Sequence, residues 1–158
     1  LARGDAYGWH ASTTTALARL ARELEGSRYG AALASIAASD REWDATLVRV
    51  ARTLRRVTPP NAVLGTVTKW DPTLLHLSGR RGRNFPDLAS LPDGYPCDSA
   101  AAVEHLERLR AEGLSHLVFP SASLWWLEHY GGLAARLRAP GPPLHADDDC
   151  LVFDLRAP

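Results

Sequence analysis

Apolar positions recur along this chain with two different periods, and the change falls near residue 58. Before it, Ala16, Leu17, Leu20, Ala21 and Leu24 repeat at three- and four-residue spacing, as do Trp43, Leu47, Val50, Ala51 and Leu54. That is the signature of helices with one apolar stripe. Residues 12–15 (Ser-Thr-Thr-Thr) offer N-cap side chains for the first helix, and Gly26 and Ser27 end it. The stretch 31–38 predicts a second, short helix. Asp40 predicts the cap of a third, closed sharply by Thr58, Pro59 and Pro60. Residues 1–12 read as irregular, so the first third is two or three amphipathic helices.

Beyond residue 58 the pattern shortens to apolar runs of strand length. Val63, Leu64, Val67 and Thr68 lie between two prolines and the pair Asp71-Pro72, the profile of a central strand buried on both faces. Asp71 and Pro72 then start a short helix to Leu77. Residues 79–82 read as a turn, and 83–86 as a short strand. The Pro- and Gly-rich segment 87–97 reads as a long loop, of the kind that borders sites. Asp98 and Ser99 cap a helix over 100–112 with Ala102, Val103, Leu106 and Leu109 inward, and Gly113 stops it. A second strong strand covers 114–119. Ser121 and Ser123 cap a helix over 124–137, and 144–155 makes a closing hairpin through Asp147, Asp148 and Asp149. The order predicts an α/β fold: a small, largely parallel, Rossmann-like sheet with flanking helices (58–158), preceded by the helical segment (1–57).

Composition narrows the function classes. With 158 residues, 46% apolar and 23% charged, the chain has enough apolar side chains for a substantial core. The formal net charge of zero argues against a nucleic-acid binder. No apolar run reaches the roughly 20 residues of a membrane span. No signal-peptide pattern is visible either, so the expected compartment is the cytoplasm. Cys97 and Cys150 lie far apart and read as free thiols. Gly-x-Gly-x-x-Gly, a Walker loop, Cys-x-x-Cys and a Gly-x-Ser-x-Gly elbow are all absent, and no cofactor or metal is expected. His76, His105, His116 and His145 share no metal spacing with each other or with the cysteines.

The candidate site is the carboxyl edge of the first strand, where open α/β sheets bind ligands. Lys69, the chain's single lysine, suits a phosphate or carboxylate. Asp71 suits a sugar hydroxyl, or the cap of the next helix, and Trp70 the face of a ring. Ser121 and Ser123 open the helix after the second strong strand, and their backbone N–H groups face an anion if the two strands are neighbours. Trp125 and Trp126 point about 100° apart on a helix, so one enters the core and the other meets a loop or solvent. His129 shares the face of Trp125, and Arg80 and Arg81 form a turn able to clamp an anion.

These residues also carry a resemblance. Thr68-Lys69-Trp70-Asp71, Leu77-Ser78-Gly79-Arg80-Arg81, Phe85-Pro86, Tyr95 to Ala100, Leu117 to Pro120, Trp125 to Tyr130 and Cys150 to Leu155 together resemble a small α/β domain. That domain occurs in large, mainly actinobacterial, multidomain proteins beside glycosyltransferase modules, and sometimes beside methyltransferase modules. The similarity spans roughly 57–155. Gly82, Arg83 and Asn84 stand where similar domains more often carry an aromatic residue or a histidine. The resemblance brings no catalytic residues with it. It implies an accessory or binding module for glycan or secondary-metabolite glycosylation, with a sugar or nucleotide-sugar ligand or a glycosyltransferase partner domain. A small transferase or hydrolase using Asp71 or His129 as base is the alternative from the enzyme class. Homo-oligomerisation through the first-third helices is the alternative from the scaffold class.

Overall fold

The computed structural model describes residues 15–26, 28–87 and 94–156. The predicted cap at 12–15 falls largely outside them, as does most of the loop at 87–97. The chain divides into two compact units, 1–47 and 48–158, so the division falls inside a helix.

In the first unit, helix α1 (residues 15–23) turns at Gly26 into α2 (Arg28–Val57). The expected second and third helices are thus one helix of 30 residues. Asp40 favours a cap, but no Gly or Pro lies between Gly30 and Pro59 to stop propagation, so it sits in the helix interior. A Cβ at Gly30 would stand 2.3 Å from the Leu24 carbonyl oxygen, which is why glycine occupies the start of α2.

The second unit begins with the last turns of α2, where Val50, Ala51 and Leu54 are fully buried, as their spacing predicts. Strand β1 (Val63–Thr66), helix α3 (Thr73–Ser78), strand β2 (Arg81–Asn84), helix α4 (Ser99–Ala111) and strand β3 (His116–Pro120) follow. A short 3-10 turn (Ser121–Ser123) leads to α5 (Trp125–His129), α6 (Gly131–Arg138), β4 (His145–Ala146) and β5 (Cys150–Asp154). The five strands form one sheet in the order β2-β1-β3-β5-β4. β1 runs parallel to β2 and β3, whereas β5 runs antiparallel to both β3 and β4. The sheet is therefore mixed rather than largely parallel, because the turn at 147–149 sends the chain back from β4 as a hairpin and β5 enters antiparallel between β3 and β4. β3, not β1, holds the middle place. β1 is interior, and a Cβ at Gly82 of β2 would lie 2.1 Å from the Leu64 carbonyl oxygen, so this pairing admits only glycine there.

One face of the sheet, with Val67, Leu117, Phe119 and Phe153, packs with Leu106 and Leu109 of α4 and Leu133 and Leu137 of α6. The last turns of α2 belong with the opposite face. Arg80, just before β2, donates to the Arg55 and Thr58 carbonyls, and Arg49 pairs with Asp149 beside β5. Asp98 caps α4 by accepting the Ala101 N–H at 2.8 Å, as the sequence predicts. The expected helix over 124–137 is broken at Tyr130 (ψ 72°), just before the pair Gly131-Gly132. Cys97 and Cys150 are both free. No helix among the described residues is long and apolar enough to cross a membrane.

Candidate functional site

Strands β2, β1 and β3 are mutually parallel, so their carboxyl ends share one edge. The chain leaves each strand there with an aromatic or proline residue. Trp70 follows β1, Phe85 and Pro86 follow β2, and Trp125 and Trp126 follow β3.

The loop after β1 is held from several sides. Phe85 N–H donates to the Thr66 carbonyl, which extends the β1–β2 pairing past the last ladder residue. The Asn84 amide oxygen lies 3.2 and 3.0 Å from the hydroxyls of Thr66 and Thr68. Thr68 also reaches the Asp71 carbonyl at 2.7 Å. Inside this frame Lys69 and Trp70 adopt the left-handed region, with φ of 49° and 66°. Two consecutive non-glycine residues there are uncommon, and their strain is retained because the flanking hydrogen bonds over-determine the turn. The Trp70 indole N–H donates to the Pro86 carbonyl at 3.1 Å, which fixes the ring. Lys69 is exposed and has no ion-pair or hydrogen-bond partner among the described residues. Asp71 accepts the Thr73 N–H at 2.9 Å, so its carboxylate starts α3 as expected, one residue ahead of Pro72.

Beside this loop the aromatic rings form a continuous cluster of tilted contacts. Tyr95 contacts Trp70 (5.7 Å between centroids), Trp126 (5.6 Å) and Trp125 (6.2 Å). Trp126 is buried and continues to Phe85 and Tyr130 at 5.7 and 4.8 Å. Trp125 stays 41% exposed and Tyr95 38% exposed, so two rings show to solvent on a rigid aromatic base. His129 is exposed and edges onto Trp125 and Tyr130 at 6.0 and 4.6 Å. The Tyr130 hydroxyl donates to the Pro96 carbonyl at 2.8 Å, and its burial pushes the phenol pKa up. Gly94, at φ 89°, lets the backbone lie on Trp70; a Cβ there would stand 3.2 Å from the ring.

Lys69, Trp70, Asp71, Trp125 and His129 are thus gathered at one edge. Ser123 also belongs there, but not as a helix cap: its hydroxyl donates to the Val67 carbonyl and ties the end of β1 to the segment after β3. Ser121 uses its backbone N–H on the Asp149 carbonyl at 2.8 Å. Arg80 and Arg81 stand at the opposite edge, because parallel pairing places Arg81 level with Val63, the first residue of β1. Arg80 there ties down the end of α2 through Thr58 and Arg55, so the two arginines do not join Lys69 in one anion site.

Compared with protein-family models, curated proteins and solved structures, the chain matches none.

Tyr95 is the site residue that sequence reasoning passed over. Its signal was the neighbouring prolines and glycine, which set Tyr95 in a loop returning to the sheet edge, but nothing local shows that Trp70 and Trp125 meet it there. His105 was also missed as a core residue. It is buried against Phe85 and accepts the Asp87 N–H at 3.0 Å, and burial first, then Arg108, lowers its pKa. A neutral imidazole used as an acceptor is a structural role.

Proposed function

We propose that the chain is a non-catalytic binding module that seats a sugar ring on the exposed faces of Trp125 and Tyr95, with Lys69 meeting an anionic substituent of the ligand. The observation that carries this reading is the pair of solvent-facing rings on a buried aromatic base, beside an exposed lysine that has no partner among the described residues. A sugar offers an apolar C–H face to such rings, and its hydroxyls remain free for the loop backbone. The edge is formed by three parallel strands, the place where Rossmann-like sheets bind ligands. The resemblance to domains found beside glycosyltransferase modules supports a setting in glycan or secondary-metabolite glycosylation, with a nucleotide sugar or a glycan as ligand.

A binding role fits this edge better than an acid–base role. The Asp71 carboxylate is engaged by the Thr73 N–H, and His129 rests on ring edges in open solvent. A general base instead needs a closed site and a free lone pair aimed at a substrate. The test is a thermal-shift and turnover screen against nucleotide sugars, free sugars, phosphate and S-adenosylmethionine. The expected result is a selective rise with one sugar class and no product by mass spectrometry. Product formation, or a rise with S-adenosylmethionine alone, overturns the proposal.

A further inference from the structure

The closing hairpin brings together three side chains that the sequence spacing keeps in different elements: His145 on β4, Asp147 in the turn and Cys150 at the start of β5. One ligand-type atom from each lies within 4.8 Å of the other two. The turn between them is fixed by its backbone. One Asp147 carboxylate oxygen accepts the N–H groups of Asp149 and Cys150 at 2.9 and 2.8 Å, and the Asp147 N–H returns to the Cys150 carbonyl at 3.1 Å. Arg49 holds Asp149 through two 2.8 Å contacts, and Cys150 pairs with Pro120 across the ladder. The second Asp147 oxygen meets the His145 Nε2 at 2.7 Å. The group grades outward from the fully buried Cys150 through the half-buried His145 to the exposed Asp147.

We propose that His145, Asp147 and Cys150 form a binding site for a zinc-class divalent cation, with water in the fourth position. One imidazole nitrogen, one thiolate sulfur and one monodentate carboxylate are the ligand set of a borderline cation, whereas calcium and magnesium require oxygen ligands throughout. Ligand atoms around tetrahedral zinc lie about 3.3–3.8 Å apart, given bonds of about 2.0–2.3 Å. Binding of the ion would open the short His145–Asp147 contact and bring the Cys150 sulfur toward both. The Cys150 thiol gives its proton to solvent as the sulfur–metal bond forms, and the dication balances the charges of the thiolate and Asp147. Asp149 is already paired with Arg49 and is not recruited.

The experiment is titration of the reduced, metal-free full chain with Co2+ as spectroscopic probe, followed by Zn2+. The expected result is a near-ultraviolet thiolate-to-cobalt charge-transfer band with intense visible d–d bands, saturating at one equivalent and abolished by one equivalent of Zn2+. Cys150 is left intact because its side chain lies in the core. Cys97→Ser must keep the band, and His145→Gln, checked by circular dichroism for an unchanged fold, must weaken binding by at least about tenfold, the loss that even an outer-shell change brings. No charge-transfer band in the wild-type chain, or a band lost in Cys97→Ser and kept in His145→Gln, overturns the proposal.

Discussion

Replacing Lys69 by glycine is expected to make the protein more stable and its ligand affinity weaker. Lys69 is held at φ 49°, where an L-residue with a Cβ pays about 1–2 kcal/mol relative to its preferred regions. Glycine removes that strain but adds chain entropy to the unfolded state, returning about 0.5–1 kcal/mol. Taken at the middle of these ranges the net gain for Lys69→Gly is about 0.7 kcal/mol, since the side chain makes no ion pair or hydrogen bond among the described residues. Lys69→Ala keeps the strained φ and loses only the charge, so it stays within about 0.5 kcal/mol of wild type. Urea unfolding followed by tryptophan fluorescence reads this directly. With an m-value of about 2 kcal/mol/M, the Lys69→Gly midpoint rises by about 0.2–0.5 M while that of Lys69→Ala does not move. Equal midpoints for the two variants, or a lower one for Lys69→Gly, would refute the claim that strain is stored beside Trp70.

Other outcomes follow from single contacts. Tyr130→Phe removes a buried hydroxyl and leaves the Pro96 carbonyl unpaired, so it lowers stability by about 1–2 kcal/mol in the same urea assay. Gly82→Ala drives a Cβ against the Leu64 carbonyl and costs about 3 kcal/mol or more, seen as a lowered melting temperature and faster amide exchange along β1 and β2. Asp154 is held down to about 2, first by its hydrogen bond from Arg156. Because its folded pKa lies below the unfolded value, its contribution is complete above about pH 4 and is lost as pH falls toward 2. Discounted for the exposure of Arg156, that contribution is about 1 kcal/mol, and Asp154→Asn should flatten the stability profile between pH 4 and 2.

The elements that local chemistry specifies were legible in the sequence. Asp98 capping α4, the strand 116–120 and the hairpin through Asp147 each depend on residues within a few positions of one another. The pairing of β5 with β3 was not legible, because the hairpin fixes β5 only against β4 and either of its strands suits a place beside β3. The fused α2 shows the limit of reading caps: Asp40 favours a start, but nothing before it compels a stop. At the site, Lys69, Trp70 and Asp71 were visible as a strand end. Their union with Tyr95 and Trp125 was not, since those contacts join residues more than twenty positions apart with whole helices and strands between them. Arg80 and Arg81 looked like anion binders from the turn alone, and only the parallel register puts them at the far edge.

Calorimetric titration of the wild-type chain and of Trp125→Ala with whichever sugar class stabilises the protein tests the central claim most directly. Trp125 is 41% exposed and is not part of the buried core cluster, so its removal leaves the fold intact. The account predicts saturable one-site binding to the wild type, an affinity loss of about tenfold or more in Trp125→Ala at unchanged melting temperature, and no loss in Arg81→Ala. Equal affinity for wild type and Trp125→Ala would contradict it, and a loss confined to Arg81→Ala would move the site to the opposite edge of the sheet.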